Sequence, residues 1–180
     1  MQLAKTRARI TGTLLAAAAR AGADEIEHAK LCFGRARAFD GLELGPNALP
    51  IARVAPPPAT LGALAAETLR DGCADEIAAA LLAAEGRERT DDARSREVLA
   101  ILADDEERHA ELAFRIVAFA LERGGSDAER AVQGELGKLA SEGSSLPIDA
   151  ALARHGLTDR AGFEAARTRA VREITVPCAS

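Results

Sequence analysis

The chain has 180 residues, of which 48% are apolar and 28% charged, an ordinary balance for one globular core. It holds 42 alanines, five Phe and neither Tyr nor Trp, so the bulky residues that fill strands are scarce and an all-β fold is excluded. A net charge of −5 argues against a nucleic-acid partner. No apolar run approaches the roughly 18 residues of a membrane span, which argues against a membrane one.

In chain order, residues 1–9 have the basic start of a secretory leader. Ile10 to Ala19, however, contains Thr-Gly-Thr and passes directly into charged helix with no cleavage region, so the expected location is cytoplasmic. Leu14 to Phe39 is predicted as one helix. Residues 40–59, with Gly41, Gly45, Pro46, Pro50 and Pro56-Pro57-Pro58, form a long loop. Helix resumes after Thr60 as N-cap and runs to about Glu85; the next is capped by Asp91 or Asp92 and stops at Gly124-Gly125. Shorter helices are predicted over 128–140, 147–154 and 160–174. The fold class is all-α, with residues 1–125 as the main helical domain and 126–180 as a helical extension packed on it.

Two segments repeat at an offset of 81. Asp24-Glu25-Ile26-Glu27-His28-Ala29-Lys30-Leu31-Cys32-Phe33 aligns with Asp105-Glu106-Glu107-Arg108-His109-Ala110-Glu111-Leu112-Ala113-Phe114, with six of ten positions identical. Both carry Glu-x-x-His, which sets a carboxylate and an imidazole on one helix face. Two of the three histidines of the chain lie in this motif, and two such pairs facing each other suit a pair of divalent metals. The third, His155, is expected near a helix C-terminus. If helices 60–85 and 91–123 form an antiparallel hairpin, Glu76 falls level with Glu106, about 22 Å along each arm. Asp24 and Asp105 each precede the Glu of one motif, and in a helical bundle such a position suits a hydrogen bond to the histidine of a neighbouring helix. Glu27, Glu107 and Glu111 are expected in solvent. Cys32, Cys73 and Cys178 form no Cys-x-x-Cys, and Cys32 and Cys73 are expected as free, buried thiols facing the site.

With these residues in place, the chain resembles the ferritin-like superfamily of di-iron carboxylate proteins, most of all a bacterial group of ferritin-like-domain proteins. The resemblance covers Leu14 to Leu121 through DEIEHAKLCF, GPNALP, GCADEIAAALLAAE and DDEERHAELAFRIVAFAL, and the tail AVREITVPC is similar as well. It implies a four-helix bundle with residues 40–59 as its crossover loop. It also implies a metal site in which Glu25 and His28 serve one iron, Glu106 and His109 the other, and Glu76 bridges, for Fe(II) oxidation or peroxide scavenging. The superfamily's first helix, with its Glu, has no counterpart: residues 1–13 contain no Asp or Glu. Either the chain is a shortened form, or a second copy completes the bundle as a homodimer, or the site is partial and holds one metal or none. Manganese or zinc fits the same donors. The alternative function is a non-catalytic helical scaffold that keeps a degenerate site.

Overall fold

A computed structural model describes residues 2–41, 45–47, 57–141, 156, 158 and 160–175 of the protein, with backbone only for residues 2–11, 40, 141, 160, 173 and 175. The described residues form helices and the short connections between them, without strands. Helix α1 spans Gln2–Asp40. Helix α2, Leu61–Glu67, runs into a π-helical stretch, Thr68–Ala74, and then into α3, Asp75–Arg89. These three form one rod over residues 61–89. Helix α4, Ala93–Ser141, has two arms that meet at Gly125, where φ is 53° and ψ is −145°. Helix α5 is Arg160–Thr175. No described helix is long and apolar enough to cross a membrane.

Local chemistry accounts for most of the boundaries. The Thr60 hydroxyl accepts a hydrogen bond from the Ala63 N–H at 3.1 Å, and the Asp92 carboxylate accepts one from Ser95 at 2.7 Å, so each caps the helix that follows. The positive φ of Gly125 suits glycine alone at low cost and ends the first arm of α4 where the glycine pair predicts. Two ends run further than predicted. Helix α1 starts at Gln2 rather than Leu14, because residues 2–13 are mostly helix formers and the single Gly12 does not break them. The rod continues past Glu85 to Arg89, because Gly86 is buried and its carbonyl still accepts the Thr90 N–H at 2.9 Å.

The first arm of α4 lies antiparallel to the rod. A Cβ on Gly72 would come 2.8 Å from that of Ala113, and one on Gly124 would come 3.2 Å from that of Leu61. Gly72 therefore permits a close approach of the two backbones in the middle of the hairpin. The second arm turns back along the start of the rod, and Arg70 reaches the buried Glu135 at 3.2 Å. The main core lies between these helices and α5: Ala65, Leu69, Cys73, Ala113, Val117, Ala120, Val132, Leu139, Val171 and Ile174. Helix α5 also sets Ala166 and Ala170 against Ala78 of α3.

Helix α1 packs along the first arm of α4, also antiparallel: His28 meets Asp105, and Arg35 meets Asp92 at 2.5 Å. It therefore runs parallel to the rod. It ends beside Ser95 while the rod begins beside Gly124, so residues 41–60 connect opposite ends of the molecule. Most of that connection, like the predicted helix 147–154, His155 and Cys178, lies outside the described residues.

Candidate metal centre

The two Glu-x-x-His motifs face each other across the α1–α4 contact, and the geometry is crossed. Nε2 of His28 is 2.9 Å from Asp105 Oδ2 on α4, while Nε2 of His109 is 3.3 Å from Asp24 Oδ2 on α1. The Nδ1 atoms turn inward. His109 Nδ1 lies 3.1 Å from Glu25 Oε1 and 3.2 Å from Glu106 Oε2. His28 Nδ1 lies 3.4 Å from Glu106 and 3.6 Å from Glu25. The rings stand 5.7 Å apart, and both histidines are buried, at 5% and 7% exposure.

Helix periodicity produces this arrangement. Asp, Glu and His at i, i+1 and i+4 place the His and its preceding Glu toward the interior. The Asp of each motif is left at the flank, where it meets the antiparallel partner's ring. A carboxylate can only accept, so a neutral ring that gives its Nε2–H to the aspartate keeps its lone pair at Nδ1; because His109 Nδ1 is itself in hydrogen-bond contact with Glu106, a proton on the ring or on that carboxyl occupies the contact in the metal-free protein. That lone pair faces the oxygens of Glu25 and Glu106. His28 Nδ1 is also fully buried and has no hydrogen-bond partner among the described atoms.

Glu76 enters from α3, two residues beyond the end of the π-helical stretch. Its carboxyl shares a hydrogen bond with Glu106. One ligand atom from each of Glu25, Glu76, Glu106 and His109 lies within 4.8 Å of the others, close to the span of donors around a single cation. All five predicted residues are thus brought together. Glu25 and Glu106 are the pair between the two rings, whereas Glu76 stands on the His109 side. The hairpin register set its level on the rod correctly but left open toward which ring it points.

The electrostatics follow from crowding. Burial, the hydrogen bond to Glu106 and the charges of Glu106 and Glu25 push Glu76 up to about 8. Glu106 is likewise raised, chiefly by burial. For His28, burial opposes charging of the ring, but the bond to Asp105 and the charges of Glu106 and Glu25 outweigh it, so its pKa is raised. Burial also opposes charge on Asp105, yet bonds from His28 and Arg108 hold it below the usual carboxylate range. Arg108 was not singled out from sequence; its signal is the i, i+3 spacing from Asp105.

The cysteines depart from expectation. Both Cys32 and Cys73 are free, but Cys32 is exposed, because among the described residues α1 packs chiefly on α4 and no other helix covers this flank. Cys73 is buried in the core among Ala65, Leu69 and Val117, and burial pushes its thiol up to about 12. Neither belongs to the ligand cluster. Glu27, Glu107 and Glu111 are exposed, as expected.

No family model matches the chain, and neither does any curated protein or solved structure.

Beside the centre, α1 and the rod stand apart. The groove between them has a volume of about 410 Å³. Ala18, Gly22 and Glu25 line one wall, Glu67, Gly72 and Glu76 the other, and His109 and Ala113 the floor. Glu25 is 54% exposed for this reason, the most open of the five candidate ligands.

Proposed function

We propose that this protein binds a pair of divalent metal ions, iron in the ferritin-like reading, and uses them to oxidise Fe(II) or to remove peroxide. The observation that carries the reading is the crossed arrangement of the histidines. With each Nε2 turned to an aspartate, two Nδ1 atoms and three carboxyl groups converge on one small volume that contains no basic side chain among the described residues. Such a volume requires positive charge, supplied by protons in the metal-free protein and by metal when it is available. Two imidazole nitrogens and carboxylate oxygens suit ferrous, manganous or zinc ions.

His109 and Glu76 would hold one ion and His28 the other, with Glu25 and Glu106 shared between them. A ferrous pair, when bound, supplies two electrons, enough with two protons to convert one hydrogen peroxide to two waters. The chain's own contribution is placement. Asp24 and Asp105 fix ring orientation and tautomer and raise the basicity of Nδ1. Glu76 and Glu106 hold a proton at their shared hydrogen bond that metal would displace. The groove gives a small oxidant access to the His109 side.

A second reading has its own observation. The only cluster of four mutually close ligand atoms among the described residues is on the His109 side. This favours a single ion in a non-catalytic helical scaffold. Anaerobic loading with Fe(II), desalting and metal analysis separate the two: about two irons per chain are expected for the pair, about one for the scaffold. Retention of none would remove both. With two bound, oxidation of Fe(II) by peroxide is then followed directly.

A further inference from the structure

The groove lies on one side of the centre; on the other, toward Thr90, the rod and α4 enclose a second cavity of about 280 Å³. Ala79, Leu82 and Ala83 of α3 and Leu99 and Leu102 of α4 line it, with Glu106 at its inner end and Arg89 at its outer one. Helix pairs ordinarily fill such a space with large side chains, because interiors leave few voids bigger than a water. Here the rod supplies Ala79, Ala83 and Gly86 instead. An apolar cavity of about 150 Å³ already stays dry and takes up benzene. Polar groups on the wall are few. Arg89 donates to Glu85 at 2.6 Å, and Glu106 belongs to the centre. Thr158 differs, because it lines the cavity and its hydroxyl is buried with no hydrogen-bond partner among the described residues. The other buried side-chain atom left in that state is His28 Nδ1, which the metal centre explains. A buried hydroxyl without a partner is costly, and a ligand oxygen in the cavity removes that cost.

We propose that this cavity binds a small neutral organic molecule, a ring or short chain of about six to eight carbons whose single hydroxyl or carbonyl oxygen pairs with Thr158. Neutrality follows from the walls. A carboxylate would meet Glu106 with no uncommitted cation among the described lining residues to balance it, and an ammonium would exchange water for leucine and alanine side chains. The single oxygen follows from Thr158, whose hydroxyl both donates and accepts. Size follows from the span of the wall, since Leu99 to Glu106 covers about 10 Å of α4. A molecule held there touches Glu106 and so lies next to the ions, on the side away from the groove, which stays open. That adjacency rests on the metal reading; the binding itself does not.

The test uses the full chain without metal and three probes of similar size: benzyl alcohol, toluene and benzoate. Calorimetry is expected to give benzyl alcohol a Kd below about 1 mM, toluene a Kd about five- to tenfold weaker, and benzoate no binding. Nuclear Overhauser contacts from the benzyl ring are expected at the methyl groups of Ala79, Ala83 and Leu102. Thr158→Val is expected to bring benzyl alcohol down to the level of toluene. Ala79→Leu combined with Ala83→Leu is expected to weaken both by about tenfold or more, with unchanged helical circular dichroism. If none of the probes binds the wild-type chain at about 1 mM, the cavity holds only water and the proposal is overturned. It is equally overturned if benzoate or toluene binds as tightly as the alcohol, or if the ring contacts fall on Ala18 and Gly22 of the groove; these outcomes are read on the wild-type chain, whatever the variants do. Metal retention of the wild-type chain is measured separately and judges the centre alone.

Discussion

The segments Asp24–Phe33 and Asp105–Phe114 share most of their chemistry, yet they sit in unlike surroundings. The second lies on α4, with α1 on one side and the rod on the other, so Ala110, Leu112 and Ala113 are buried. The first lies on α1, which among the described residues packs chiefly on α4, so Ala29 and Cys32 are exposed and only His28 is deeply covered. The same motif thus builds the same pair of ring contacts in both places. Whether the rest of the turn is dry is decided by the neighbouring helices. Glu76 repeats the lesson: it adds a third carboxylate on the side where a third helix is present.

The sharpest way to break this comparison is to delete each half in turn. His109→Ala removes the ring that shares its side with Glu76 and is expected to leave less than about a tenth of the metal retained after desalting. His28→Ala is expected to leave about one ion per chain, held by Glu76, Glu106 and His109. Equal losses from the two would mean that the halves are equivalent despite their packing. The aspartates give a smaller contrast. Asp105→Asn and Asp24→Asn should each weaken metal affinity by about 10- to 100-fold, and Asp105, at 2.9 Å from its ring against 3.3 Å, should have the larger effect in a competition titration.

The pH dependence tests the crowding itself. Glu76 keeps its proton up to about 8 in the folded protein but loses it near 4.5 when unfolded, so the folded state binds more protons between those values. Stability of the metal-free protein is therefore expected to fall as pH rises through that window, and the raised pKa of His28 acts in the same direction. A drop in Tm on the order of 5 °C between pH 5 and pH 8 is expected, reversed by added metal and reduced in Glu76→Gln to the part that His28 contributes. The smallest effect serves as a control. Thr60→Ala, at the far end of the rod, should cost about 1 kcal/mol in urea unfolding and leave metal stoichiometry unchanged.

Much of this arrangement is legible in the residues. The all-helical class follows from alanine and the absence of aromatics, and Thr60, Asp92 and Gly125 mark helix ends through local bonds and backbone angles. The duplicated Glu-x-x-His locates four of the five candidate ligands, and the hairpin register locates Glu76. What escapes is orientation around the helix axes. A register gives height along a helix, so Glu76 was matched to Glu106 in level but not assigned to one ring. The burial of Cys32 was inferred from its spacing to His28, which holds only if another helix covers that flank. Nothing in Thr-Leu-Arg-Asp-Gly-Cys-Ala announces a π-helical stretch, because its cause is the fit of the rod to α4 rather than any residue's own preference.

That stretch gives the rod something like a reading frame. Each α-helical residue advances the azimuth by about 100°, and a widened turn absorbs one residue without lengthening the contact. Ala65 and Leu69 before it and Ala78 after it can therefore all face the core. Deleting one residue within 68–74 would restore an ordinary helix of good propensity while shifting the frame of everything downstream. The mutant would remain helical, but Glu76 would be turned away by more than a quarter of a circle.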